Sequence, residues 1–134
     1  MAVLRDELIG LRSMDDMIKA RQLVRDCAIF QGLSLVDQTK IVTAASELAR
    51  NTVVHGGGGE MRLQALNDGP RRGVKVIFVD TGPGIPDIEL AMKDGYTTRG
   101  GLGLGLSGSK RLVNDFSIES QSGKGTTVNI VRWK

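Results

Sequence analysis

Val74-Lys75-Val76-Ile77-Phe78-Val79-Asp80-Thr81-Gly82-Pro83-Gly84 is the most informative stretch of the chain. Its first half is rich in β-branched and aromatic residues, the composition of a buried strand. The strand ends on a carboxylate, and the Gly-Pro-Gly turn that follows cannot continue it. Working backwards, Asn67-Asp68-Gly69-Pro70 is a turn signal, and before it Met61, Leu63 and Ala65 alternate with Arg62 and Gln64. That alternation predicts a second, half-buried strand forming a hairpin with the first.

Further towards the N-terminus, Ile41, Ala44, Ala45, Leu48 and Thr52 fall at helical spacing. Ser34 with Asp37 offers a capping box, so a helix is expected from there to about Val54, stopped by the run Gly56–Gly59. Ser13 with Asp16 opens another helix over residues 14–30, closed by Gly32, and residues 3–12 have weak strand character. Towards the C-terminus, Pro86 and Asp87 start a short helix to about Lys93. Leu104–Asp115 is expected as a helix, and residues 116–122 and 126–133 as two strands joined at Gly123-Lys124-Gly125. The expected architecture is α+β in two layers: a mixed, mostly antiparallel sheet with helices on one face.

At 134 residues the chain is expected to be one domain, residues 1–134. Its 40% hydrophobic and 25% charged content is ordinary for a globular fold, and 4% aromatic content implies an aliphatic core. The net charge of +3 is interspersed, with no basic run, which argues against nucleic-acid binding. Cys27 stands alone, excluding an intrachain disulfide and a cysteine metal site. The apolar runs are too short to cross a membrane, and the N-terminus lacks a signal-peptide core, so a cytoplasmic location is expected.

Three groups of residues carry chemistry. Glu47 and Asn51 lie four apart on the second helix, roughly 40° apart around its axis, beside the apolar stripe and so expected at its margin. A carboxylate there can take a proton from a nucleophile, and an amide oxygen beside it can ligate a hard cation such as Mg²⁺. Alone, such a pair is more often a solvated helix face. Asp80, an acceptor-only group when ionised, can hold an exocyclic amino group such as that of adenine, with Gly82 and Gly84 letting backbone approach a flat ring. Alone, an Asp closing a strand at a Gly/Pro turn is commonplace. Finally, Gly101, Gly103 and Gly105 run into a helix, where glycine-exposed amides suit phosphate; glycine density over 95–105 also suggests a lid that orders on the γ-phosphate.

Gly103, Gly105 and Gly108 spell G-x-G-x-x-G, but no apolar strand precedes them and no βαβ unit surrounds them, so a dinucleotide fold is rejected. Lys110 follows Ser109 and not a glycine, which rules out a P-loop. His55, the single histidine, is expected to be structural.

Taken together, Ser46–Asn51, Asp80–Ile85, Gly101–Leu106 and Gly123–Thr127 resemble, in order and spacing, the GHKL ATPase superfamily over nearly the whole chain. The tracts SELARN (46–51), GPGIPDIE (82–89), GGLGLGL (100–106) and KRLVNDFSIES (110–120) look like the RsbT-type switch kinases of the bacterial stressosome. Gly103–Ser107 followed by Lys110–Val113 is also similar to a histidine-kinase catalytic domain. The resemblance implies a Bergerat ATP-binding fold and Mg·ATP-dependent serine/threonine kinase activity on STAS-domain stressosome scaffold or antagonist proteins, with a downstream phosphatase as a further partner. It implies Glu47 as general base and Asn51 as Mg²⁺ ligand. It further implies Asp80 on the adenine amino group, Gly82 and Gly84 shaping the adenine pocket, Gly101, Gly103 and Gly105 on the phosphates, and Thr126 fixing adenine through water.

Two other functions have the same fold. An anti-sigma-factor module would sequester a transcription factor, and it usually carries a longer lid than the few residues between Thr98 and Gly103. A detached histidine-kinase domain would need a phosphoacceptor histidine on a helix pair, which these 134 residues lack.

Overall fold

A computed structural model describes residues 1–85, 88, 92 and 105–134. The elements are β1 (Ala2–Leu11), α1 (Met14–Phe30), α2 (Leu35–Val54), β2 (Gly59–Asp68), β3 (Arg71–Asp80), α3 (Gly105–Arg111), β4 (Asp115–Gln121) and β5 (Gly125–Trp133). The sheet runs in the order β1-β2-β3-β5-β4. Every pairing among the described residues is antiparallel, so the mixed sheet expected from the sequence narrows to a wholly antiparallel one.

Both long helices start where their caps predict. Ser13 Oγ accepts the Asp16 N–H at 3.2 Å, and Ser34 Oγ accepts the Asp37 N–H at 3.1 Å. The acidic partners do not complete either capping box. Asp16 turns to the Arg12 N–H (2.8 Å), and Asp37 accepts from the Arg132 guanidinium at 2.8 Å, tying the start of α2 to β5. That hydrogen bond holds the Asp37 carboxyl below its ordinary pKa, only partly opposed by burial. At the other end of α1, Leu33 N–H reaches the Ala28 carbonyl and Gly32 N–H the Ile29 carbonyl, a Schellman closure with Leu33 buried beneath it. Gln31 is also buried. Its amide donates to the carbonyls of Leu66 (2.7 Å) and Gly73 (2.8 Å), fastening α1 to the β2–β3 hairpin.

Period-two alternation then sorts the sheet. Met61, Leu63 and Ala65 on β2, Val74, Val76 and Phe78 on β3, and Val128 and Ile130 on β5 point to the face that the helices cover. They pack on Ala20 and Val24 of α1 and on Ile41, Ala45 and Leu48 of α2. Small alanines on the helices let them lie close to the sheet, and Phe78 is the largest fully buried side chain among the described residues.

Two expectations need adjusting. The helix predicted over Leu104–Asp115 stops at Arg111, because the Asn114 N–H is captured by the Val131 carbonyl (2.9 Å) and Asn114 Oδ1 by the Trp133 N–H (2.7 Å). Those bonds start β4 at Asp115. The short helix expected near 86–93 falls mostly outside the described residues; within them, Met92 N–H bonds to the Ile88 carbonyl at 2.9 Å.

Candidate functional site

At one end of the sheet a single cross-strand row runs Leu11, Gly59, Asp80, Thr126, Ser120, each residue directly opposite the next. Asp80 shares the parity of Val76 and Phe78, and Thr126 that of Val128 and Ile130, so both lie on the helix-covered face. The most apolar strand thus delivers a half-buried carboxylate to the margin of the core, beside a half-buried hydroxyl. Asp80 Oδ1 accepts the Gly82 N–H at 3.0 Å, which folds the following loop back over the strand end.

Close backbone approach dominates around this row. A Cβ on Gly56 would lie 2.5 Å from the Asp80 carboxyl carbon, and one on Gly82 would lie 2.5 Å from the Gly56 carbonyl oxygen. A Cβ on Gly125 would collide with the Asp80 carbonyl, and that residue also holds φ +91°. Gly84, at φ +77°, leaves no room for a side chain against the Gln121 carbonyl. The sequence reading had Gly82 and Gly84 making way for a flat ring. In the structure their missing side chains first make way for protein backbone. The loop 81–85 is pinned by the Gly123 N–H to the Pro83 carbonyl (2.7 Å) and by the Ile85 N–H to Ser120 Oγ (2.7 Å).

Helix α2 ends against the same place. Thr52 Cγ2 faces Gly59, and the Asn51 carbonyl accepts both the His55 and Gly56 N–H groups at 2.9 and 3.0 Å. Glu47 and Asn51 therefore sit on the last turns before the chain reaches Asp80, separated along the axis by about 6 Å. Both side chains are half-buried beside the fully buried Leu48, Ala49 and Thr52, at the margin of the apolar stripe as the spacing implied. Among the described residues no side chain hydrogen-bonds to either. Gly105 opens α3 with φ +38°, and α3 packs on α2 through the buried Leu106. Gly101 and Gly103, with the rest of the glycine-rich stretch before Gly105, lie outside the described residues.

A single amide oxygen suits a cation that keeps most of its ligands from water and phosphate, as Mg²⁺ does, and not one that needs a cage. Among the described residues no three His, Cys, Asp or Glu side chains gather to hold a metal. None of their helices is long and apolar enough to cross a membrane. A surface groove lined by Lys75, Lys110 and Asn129 contains no candidate site residue.

Sequence reasoning missed Ser120, which the strand pattern marks only as one of several polar positions. It also took the Gly56–Gly59 run simply as a helix stop. The signal for both is positional and needs the register: the run lands opposite Asp80, and Ser120 opposite Thr126.

The family described as histidine kinase-, DNA gyrase B- and HSP90-like ATPase matches residues 36–134. The serine/threonine-protein kinase RsbT of Bacillus subtilis is 47% identical over 118 residues, covering 88% of this chain and 89% of that protein. An anti-sigma F factor of Thermoanaerobacter pseudethanolicus is 32% identical over 120 residues, covering 85% and 82% respectively. In three dimensions, the RsbU and RsbW domains of a Mycobacterium tuberculosis protein superpose with a TM-score of 0.66 at 22% identity, over 97% of this chain and 33% of that one, a likeness of fold. The chain belongs to the histidine kinase-, DNA gyrase B- and HSP90-like ATPase family, and within it to the family of RsbT.

Proposed function

We propose that this chain is a single-domain, cytoplasmic, ATP-dependent protein serine/threonine kinase. Its substrates are STAS-domain stressosome proteins, and it acts as a switch in a bacterial stress response with a phosphatase downstream. The observation that carries the reading is the meeting of Asp80 and Thr126 at the sheet end with the last turns of α2, which bear Glu47 and Asn51. The high identity to a serine/threonine-protein kinase supports it.

In this mechanism Asp80 accepts from the adenine amino group, Thr126 fixes the base through water, and the loop at Gly82 and Gly84 shapes the adenine pocket. The amides at Gly101, Gly103 and Gly105 meet the phosphates. Asn51 would ligate Mg²⁺, which neutralises phosphate charge when bound. Glu47 removes the proton from the substrate hydroxyl as its oxygen bonds to the γ-phosphorus and the bond to the β-phosphate oxygen breaks, leaving ADP and a phosphoester. Positioning and charge do most of this work.

The test is to incubate the chain with γ-labelled ATP and a purified STAS-domain protein. Acid-stable, alkali-labile label on serine or threonine supports the kinase. Acid-labile label marks a histidine kinase instead. Tight ATP binding without transfer, together with capture of a sigma factor, would favour the sequestering reading that the anti-sigma F relatives motivate.

A further inference from the structure

Ser120 stands where two strands, β4 and β5, meet the loop at Ile85. Its Oγ accepts the Ile85 N–H at 2.7 Å, donates to the Gly125 carbonyl at 3.1 Å, and lies 2.8 Å from Thr126 Oγ1. A serine hydroxyl has one proton and two lone pairs. The Gly125 carbonyl can only accept, so the serine proton goes there. Ile85 fills one lone pair, and the other is left for Thr126. The Thr126 hydroxyl must then donate, its single proton committed to Ser120. What Thr126 can still offer towards Asp80, its direct neighbour across β3 and β5, is an acceptor lone pair.

We propose that Ser120 is a specificity-determining residue: by taking the Thr126 proton it fixes that hydroxyl as an acceptor and makes the base-binding end of the site acceptor-only. This rests on the reading above that Asp80 and Thr126 flank the purine. Two acceptors side by side match the amino group of a 6-aminopurine, directly or through a water that gives both its protons. A 6-oxopurine puts a carbonyl oxygen there, and the Thr126 proton is not free to meet it. Leaving a buried acceptor unpaired is costly, which turns hydroxyl polarity into discrimination. Ser120 would position Thr126 and the loop at Ile85 without having to touch the nucleotide.

The experiment compares equilibrium binding of ATP and ITP, which differ at the 6-substituent and the adjacent ring nitrogen. Wild type should prefer ATP. Ser120→Ala frees the Thr126 proton to face a carbonyl and should narrow the ATP/ITP ratio about 10-fold, a change of roughly 1.4 kcal/mol. Ser120→Thr, which keeps the hydroxyl, should hold the ratio. Thr126→Val, which leaves the Ser120 bonds to Ile85 and Gly125 intact, should narrow it by a similar factor, and adding Ser120→Ala should narrow it no further. Because Thr126→Val spares those two bonds, it decides the matter even where Ser120→Ala folds poorly. Equal weakening of both nucleotides by Ser120→Ala, or an unchanged ratio in Thr126→Val, overturns the proposal while leaving the kinase reading intact. Wild type that binds ITP as well as ATP overturns the proposal and the place of Asp80 at the base, and wild type that fails to bind ATP overturns the kinase reading too.

Discussion

Asp80 and Thr126 face each other directly across β3 and β5, on the face of the sheet that the helices cover. Opposite residues in an antiparallel pair hold their Cβ atoms about 5 Å apart. The pairing therefore converts a separation of 46 residues in sequence into one side-chain neighbourhood, and the Gly56 and Gly125 contacts on either side keep it narrow.

Asp80→Asn should abolish ATP binding while leaving the fold intact, because half of the amide's polar groups would point a donor at a donor. In wild type, calorimetry should show ATP preferred over GTP, whose carbonyl would oppose the carboxylate. Equal affinities would remove Asp80 from the base site.

Gly125→Ala and Gly123→Ala form a controlled pair. Both glycines hold positive φ, +91° and +77°, but a Cβ on Gly123 meets nothing within 4 Å while one on Gly125 strikes the Asp80 carbonyl. Backbone strain alone should cost Gly123→Ala about 1–2 kcal/mol. Collision added to strain should raise Gly125→Ala to about 3 kcal/mol or more, measured by urea unfolding. Similar losses for the two would mean that the strand end is not packed as described.

The Asp37–Arg132 pair gives a pH signature far from the site. Its side chains are 22% and 17% exposed, and the hydrogen bond holds the Asp37 carboxyl below its ordinary value. A depressed folded pKa adds stability that is present above the unfolded value of about 3.9 and is lost as pH falls through the folded value. Asp37→Asn should therefore cost about 1 kcal/mol at pH 7. The gap between the two melting curves should stay constant down to about pH 4 and close below it. A gap that is already closed at pH 6 would contradict the assignment.

Much of this was readable in advance where local chemistry and tertiary structure agree. The caps at Ser13 and Ser34 and the helical spacing of Ile41, Ala44 and Leu48 placed both long helices, and Val74–Asp80 placed the central strand. The margin position of Glu47 and Asn51 followed from their offset from that stripe. The end of α3 was not readable, because Arg111 is followed by no local breaker. It is the Val131 carbonyl, on another strand, that captures Asn114. Nor could the partners of Asp37 or Ser120 be read, since neither Arg132 nor Thr126 is a neighbour in any local pattern. Register carries that information, and a one-residue slip would turn Thr126 to the other face.

The central claim is that Glu47 performs the chemistry in a site that Asn51 and Asp80 help build. It is tested most directly by single-turnover transfer from γ-labelled ATP to a STAS-domain substrate at saturating nucleotide, comparing wild type with Glu47→Gln. The account predicts unchanged ATP affinity and a rate reduced by about 10²- to 10⁴-fold, the range for removal of a general base. Asn51→Ala, on the same helix face, should instead lose binding and transfer together, a split that a shared folding defect would not produce. Transfer by Glu47→Gln at the wild-type rate would contradict the account and leave the site as a nucleotide switch without Glu47 as its base.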